Sequence, residues 1–171
     1  MTSWPEQLND AIRLLESRID DKPGGLPEEL FRFVSRITPL VNVDLLIRDD
    51  RLGTLLTWRD DDFYGPGWHI PGGIVRFREH AAARVCICAE RELGARVDFD
   101  PVPAMVHESV ALDRRDRAHF VSMLYRCRLV TGPDLARRYA GAEPVPGQWH
   151  WHRDCPKQLI PQQSVYRPFI G

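Results

Sequence analysis

The sequence predicts an α/β (α+β) domain, a mixed β-sheet sandwiched by helices, behind an N-terminal helical extension. Three observations predict it. Apolar residues first recur at helical spacing, as in Leu8, Ile12, Leu15 and Ile19. From Leu40 onward the period changes to short strand-like runs. One long helical pattern, Glu79 to Leu93, then interrupts those runs, which places a single helix inside a strand-rich domain. The division expected is a helical extension over 1–38 and a domain over 39–171.

Taken in order, Ser3 and Glu6 form a capping box, with Pro5 suited to the first turn of a helix that Lys22-Pro23-Gly24-Gly25 breaks. A second helix is expected from about Pro27 to Ile37, with Leu30, Phe31, Phe33 and Val34 on its apolar side. Leu40 to Ile47 and Thr54 to Trp58 read as strands joined by the turn Asp49 to Gly53. A loop from Asp60 to Gly67 leads through Trp68-His69-Ile70 into Pro71-Gly72-Gly73. The helix Glu79–Leu93 stops at Gly94, and Arg96 to Phe99 is a short strand. Met105–Val110 and Phe120–Leu129 form a hairpin around Asp113-Arg114-Arg115-Asp116-Arg117, a turn read as solvated. Gln148 to His152 is the last strand; the tail from Pro156 reads as a short helix and coil. Trp149 and Trp151 alternate with His150 and His152, so one pair should face the core and the other solvent.

A chain of 171 residues supports one substantial core. Its 43% hydrophobic and 27% charged residues match a soluble globular protein, and a net charge of -1 gives no argument for a nucleic-acid or membrane partner. No apolar run reaches bilayer length, and the first residues lack the apolar core of a secretory leader, so a cytoplasmic location is expected. Cys86, Cys88, Cys127 and Cys155 match no zinc spacing and read as reduced, mostly packed thiols.

The chemistry concentrates in Pro71 to Gly94, PGGIVRFREHAAARVCICAERELG. Gly-Gly after a strand lets a ligand approach the backbone, and the helix beyond it supplies Glu92. Carboxylate and carbonyl oxygens suit a hard divalent cation whose shell a phosphate completes. This stretch resembles the Nudix box, G-x5-E-x7-R-E-U-x-E-E-x-G-U: Gly73, Glu79, Glu92 and Gly94 fall at its spacings, while Ile87, Cys88 and Arg91 replace an arginine and two glutamates. Over about residues 30 to 160 the segments PLVNVD from Pro39, LTWR from Leu56, WHIPGG from Trp68 and AERELG from Ala89 look like the GDP-mannose mannosyl hydrolase branch of that family.

The resemblance implies a Nudix-type sheet and hydrolysis of a nucleoside diphosphate derivative, a nucleotide sugar such as GDP-mannose first, with Mg²⁺ or Mn²⁺. It assigns the metal to Gly72 through its carbonyl, Glu92, and Glu143, which stands six residues before Trp149 as the branch's third ligand does. Asp44 matches an active-site aspartate and Arg59 the arginine that neutralises the leaving diphosphate. Two further phosphate-side arginines are replaced by Ile74 and Ile87, and the general-base histidine by Pro144. His119, His150 or Glu108 could take that place, and His150 is expected beside Asp44 and Arg59 in the catalytic site; no spacing singles one out. Glu79 is read as a structural ion-pair partner within the box. Arg59, at the head of Arg59-Asp60-Asp61-Asp62, also reads as a partner of those acids.

Two classes of function remain open on the sequence. An enzyme is favoured by Gly72, Glu92, Glu143, Asp44 and Arg59 together, whereas Ile87, Cys88 and Arg91 favour a Nudix-fold binder of nucleotides or sugar nucleotides that has lost turnover. The partner expected is a small nucleoside diphosphate substrate. The N-terminal helices are read either as a homodimer contact or as a cap on the sheet of a monomer.

Overall fold

The computed structural model describes residues 4–19 and 25–171. The chain divides into two compact units, Met1–Leu40 with Val110–His119, and Val41–Ser109 with Phe120–Gly171.

In the first unit, α1 spans Trp4–Glu16 and α2 spans Glu28–Val34. Ser3 of the expected capping box, and Lys22 to Gly24 of the expected break, lie outside the described residues. The apolar line of α1 forms, but Leu8, Ile12, Leu15 and Ile19 are all exposed. Leu30, Phe31 and Val34 of α2 are half-buried and Phe33 is exposed. The charged turn is not simply solvated, a correction to its reading from sequence. Asp116 lies 3.4 Å from Arg36, and the Arg117 amide donates to Ser35 Oγ at 3.1 Å. Consecutive charges signal exposure only where no oppositely charged helix stands beside them.

The second unit holds nearly all of the sheet. Its strands are β1 Leu40–Asp49, β2 Gly53–Arg59, β3 Gly67–His69, β4 Gly72–Ile74, β5 Val97–Phe99, β6 Met105–Val110, β7 His119–Leu129 and β8 Trp149–His152. The order is β3-β2-β1-β7-β5, with β4 on β1, β6 on β7 and β8 on β2. The pairs β1–β2, β1–β4, β2–β3, β2–β8 and β5–β7 are antiparallel, and parallel bridges join Trp68 to Leu159 and Arg138 to Trp149. The β1–β2 turn closes because Asp49 Oδ1 accepts the amides of Arg51 and Leu52.

Each face of the sheet has its own core. On one face α3, Ala81–Leu93, buries Val85, Cys88, Ala89 and Leu93 against Val43, Leu45, Ile47, Leu55 and Trp149. This helix ends at Gly94, whose φ of 63° is the left-handed conformation that glycine adopts without strain. On the other face the C-terminal segment, including a 3-10 stretch over Pro161–Phe169, covers Leu46, Leu56, Trp58, Trp68 and Ile70 with Leu159, Tyr166 and Ile170. The tail therefore does the work of the second helical layer.

That covering corrects the expectation for the last strand. Trp149 and Trp151 do face the α3 core. His150 and His152 do not face solvent: their rings pack 6.2 and 4.6 Å from Trp68, and His150 lies 5.6 Å from Tyr139. Burial holds His152 down to about 4, so it sits there as a neutral ring.

Candidate functional site

The site forms where β4 runs between β1 and the open end of β2. Asp44 is the Cα partner of Gly72 on β1, and Thr57 is the partner of His69 across β2–β3. Both glycines are required by close approach. A Cβ on Gly72 would overlap the Val43 carbonyl and stand 2.7 Å from Asp44 Oδ1; one on Gly73 would stand 2.8 Å from Cys88 Sγ. The Gly-Gly turn is thus clasped between Asp44 on one side and α3 on the other.

Glu92, on the last turn of α3, reaches that turn. Its Oε1 accepts the Gly72 amide at 3.2 Å and its Oε2 accepts the Thr57 hydroxyl at 3.3 Å. Behind Thr57, His69 Nδ1 lies 3.0 Å from Oγ1. The hydroxyl has one proton; with that proton given to Glu92, His69 must donate through Nδ1. Burial, helped by the Arg59 charge, holds His69 down to about 3, so the ring is neutral. Burial also pushes Glu92 up to about 7, against the Gly72 amide, the Arg59 charge and the Thr57 hydroxyl, and Asp44 adds to the rise. Glu92 meets no cation at ion-pair distance among the described residues, whereas Glu79 is paired with Arg84 at 2.7 Å, as its place in the box predicts.

Asp44 is buried on the opposite face. Its carboxylate accepts Tyr166 Oη at 2.7 Å, Asn42 Nδ2 at 2.9 Å and, more loosely, Gln163 Nε2 at 3.4 Å. Burial pushes it up to about 6, and those hydrogen bonds together with the Arg59 charge limit the rise. Gln163 also binds the Ile70 amide at 2.6 Å and the Ile70 carbonyl at 3.2 Å, just ahead of Pro71-Gly72. Arg59, at the end of β2, gives Nε and Nη2 to Asp61 Oδ2 at 2.8 and 2.5 Å and lies over the Tyr64 ring at 4.9 Å.

The structure therefore brings Asp44, Gly72 and Glu92 together, with Arg59 close enough to influence both acids. It does not bring in His150, which pairs with Leu56 on the face away from Thr57 and Glu92 and sits among aromatic rings. Glu143 is exposed in the loop entering β8 and makes no hydrogen bond among the described residues; that loop is tied to β2 through Gly147 N to Trp58 O at 2.9 Å. Cys88 and Cys127 are buried and Cys86 is exposed; all four thiols are free. Among the described residues no three His, Cys, Asp or Glu side chains form a metal cage, and no helix is long and apolar enough to cross a membrane.

Sequence reasoning missed Thr57, His69, Gln163 and Tyr166. The alternation Leu55-Leu56-Thr57-Trp58-Arg59 held a faint signal, a hydroxyl two residues before the arginine on the same face. Nothing local marks Gln163 or Tyr166.

No protein-family model matches the chain. Over 81 residues it is 33% identical to the low-salt glycan biosynthesis protein Agl8 of Haloferax volcanii, an alignment covering 47% of this chain and 51% of the relative. The chain thus spans about half the length of the curated relative it matches. The MutT Nudix hydrolase of Burkholderia pseudomallei superposes with a TM-score of 0.57 at 21% identity, covering 78% of this chain and 99% of that one. A UDP-X diphosphatase gives a TM-score of 0.55 at 16% identity over 98% of this chain and 80% of its own. These likenesses show the fold: the chain has the Nudix fold.

Proposed function

We propose that the chain is a divalent-metal-dependent hydrolase acting on a nucleoside diphosphate derivative, with a nucleotide sugar such as GDP-mannose as the first substrate to try. The observation that carries this reading is Glu92: a shielded carboxylate, held by one amide and one hydroxyl beside a Gly-Gly turn, with no cation at ion-pair distance among the described residues. A carboxylate so shielded is costly to ionise without a positive partner. The donor set fits Mg²⁺ or Mn²⁺, which commonly take one or two carboxylates and complete their shell with water and substrate phosphates. Gly72 through its carbonyl, Glu92 and Glu143 would hold the ion. When bound, it would neutralise diphosphate charge and acidify a water molecule.

The chain's own residues do the rest. Arg59 offers the forked donor set suited to a diphosphate, in exchange with or alongside Asp61. Asp44, with its acceptors turned to Tyr166, Asn42 and Gln163, holds the strand against which Gly72 lies. The His69–Thr57 pair orients Glu92. The likeness to a UDP-X diphosphatase supports a nucleoside diphosphate joined to another group, and the likeness to a glycan biosynthesis protein fits a sugar as that group. The aromatic setting of His150 argues against a part for it in proton transfer. Water acidified by such an ion would need less help from a separate base, which favours attack at phosphorus over attack at the sugar carbon.

A binder without turnover is the second reading. Cys88, buried against Gly73, and exposed Arg91 leave Glu92 as the one α3 acid bonded to the turn.

The test is a panel of nucleotide sugars and nucleoside diphosphates with and without Mg²⁺ or Mn²⁺, run in ¹⁸O-water. Metal-dependent cleavage with label in a phosphate product supports the reading. Fast GDP-mannose cleavage with the label wholly in mannose would replace phosphorus attack by carbon attack. Metal-dependent binding with no product would establish the binder.

A further inference from the structure

The loop that joins β2 to β3 is built around one carboxylate. Asp61 Oδ1 accepts the amides of Phe63 and Tyr64, both at 2.9 Å, and the Asp61 carbonyl accepts the Gly65 amide at 3.0 Å. The turn is so tight that a Cβ on Gly65 would overlap the Asp61 amide. The other carboxylate oxygen, Asp61 Oδ2, takes Nε and Nη2 of Arg59 at 2.8 and 2.5 Å. Asp60 and Asp62 on either side are exposed and make no bond to Arg59 among the described residues. The same turn carries the Tyr64 ring, whose centroid lies 4.9 Å from the guanidinium carbon. Phe120 of β7 meets that ring edge-on at 6.4 Å. The guanidinium is thus held along one edge and over one face, and its Nη1 makes no hydrogen bond among the described residues. Arg59 stays in register with Gly67 of β3 and stands two residues past Thr57. Strand alternation therefore sets it on the side from which Thr57 reaches Glu92.

We infer that Asp61 and Tyr64 are positioning residues for Arg59: they clamp its guanidinium so that the remaining edge, Nη1 with the second hydrogen of Nη2, faces the diphosphate of a substrate. This inference rests on reading Arg59 as the diphosphate-binding arginine of a hydrolase. The bonding favours a clamp over a stopper that substrate must push aside. Two loop amides hold the Asp61 carboxylate without any help from Arg59, so displacing it would unwind the turn. The outer edge of the guanidinium, in contrast, can take a phosphate oxygen with the clamp intact. A long side chain fixed before binding also loses less freedom when the ligand arrives. Asp61 offsets part of the arginine's charge, but solvent screens that loss at a pair this exposed, and the gain from a fixed direction outweighs it.

The test is calorimetric titration of the full chain with GDP, UDP and ADP in Mg²⁺. Asp61→Glu keeps the charge but is one methylene too long to hold both loop amides and the Arg59 edge; Tyr64→Leu removes the ring. Each change is also combined with Arg59→Ala to complete a double-mutant cycle, and thermal melts confirm that every variant is folded. For the nucleoside diphosphate bound best, Asp61→Glu should lose roughly three- to tenfold in affinity and Tyr64→Leu about threefold. In the Arg59→Ala background neither change should cost anything further, whereas a merely structural role would lower affinity in both backgrounds. Either cycle alone decides the inference for its residue. Tighter binding by Asp61→Glu makes Asp61 a stopper and overturns the clamp. Wild-type affinity in both single variants, losses that add to that of Arg59→Ala, or a wild type that binds none of the three at millimolar concentration overturns it as well. Metal-dependent hydrolysis of nucleotide sugars, measured in parallel, separates this inference from the reading beneath it. An active wild type whose affinity is unchanged in both single variants overturns the clamp and leaves the hydrolase standing. Coupled losses in a chain with no turnover support the clamp and remove the hydrolase.

Discussion

Glu92 and Asp44 are two shielded carboxylates on opposite faces of the same strands, separated by the Gly-Gly turn, and burial raises both. Their surroundings differ. Asp44 is ringed by a phenol and two amides, each aimed at it from the protein. Glu92 has one backbone amide at 3.2 Å and one hydroxyl at 3.3 Å, both long, and no charge partner at ion-pair distance among the described residues. A buried acid whose acceptors are satisfied by its own chain is a structural member. One left with long, sparse donors suits a cation better. On the proposed reading, the difference puts the metal on the α3 face and the architecture on the tail face.

The largest expected effect breaks this comparison at Glu92. Glu92→Gln should lower Mg²⁺ or Mn²⁺ affinity and hydrolysis by on the order of a hundredfold or more, while the metal-free variant melts no lower than wild type at neutral pH. Unchanged metal affinity in calorimetry would sink the site. Next comes Arg59: replacement by Ala should weaken nucleoside diphosphate binding by about ten- to a hundredfold, and by Lys less, because Lys keeps the charge but not the fork. If both variants bind like wild type, Arg59 serves Asp61 alone. On the tail face the cost should appear as stability. Asp44→Ala takes the carboxylate acceptor from the Tyr166 hydroxyl and should cost roughly 1–3 kcal/mol, and Tyr166→Phe a comparable amount. Denaturant unfolding of the double variant should show less than the sum of the two, since both remove one bond; strict additivity would deny the coupling.

A smaller effect concerns pH. Unfolded Glu92 and Asp44 titrate near their ordinary values of 4.5 and 3.8, and folded near 7 and 6. Between those limits the folded apo chain holds more protons than the unfolded one, so its stability falls as pH rises and levels off above about 7. The slope is at most about 1.4 kcal/mol per pH unit for each group. Saturating Mg²⁺ should flatten the Glu92 share in thermal melts, and Glu92→Gln should abolish it. A metal-free chain whose stability rises over pH 5 to 7 would contradict both shifts. The smallest effect is at His150, where Phe should fit the aromatic cluster and leave turnover near wild type. A large fall in kcat would restore His150 to the reaction.

The α3 side was legible because its signals are local. A glycine pair, a helix period and a glutamate two residues before a left-handed glycine all lie within Pro71 to Gly94, and Glu92 and Gly72 meet as that spacing implies. The tail side was not. Tyr166 and Gln163 act on residues more than a hundred positions away, and no pattern within the tail distinguishes a residue that binds Asp44 from one that only packs. The same blindness sent one pair of the Trp149 to His152 alternation to solvent, because strand alternation gives two faces and says nothing of what covers the second. The turn at Asp113 to Arg117 failed for a related reason: its partners, Arg36 and Ser35, come from a helix read separately.

Gln163 has a consequence beyond bonding. A single side-chain amide that accepts from the Ile70 N–H and donates to the Ile70 carbonyl imitates a neighbouring strand. The register of the Gly-Gly turn is therefore borrowed from a segment nearly a hundred residues later in the chain. The Ile70 amide becomes a natural reporter: its hydrogen exchange measures how often the tail lifts away, and hence how often the floor of the site comes loose.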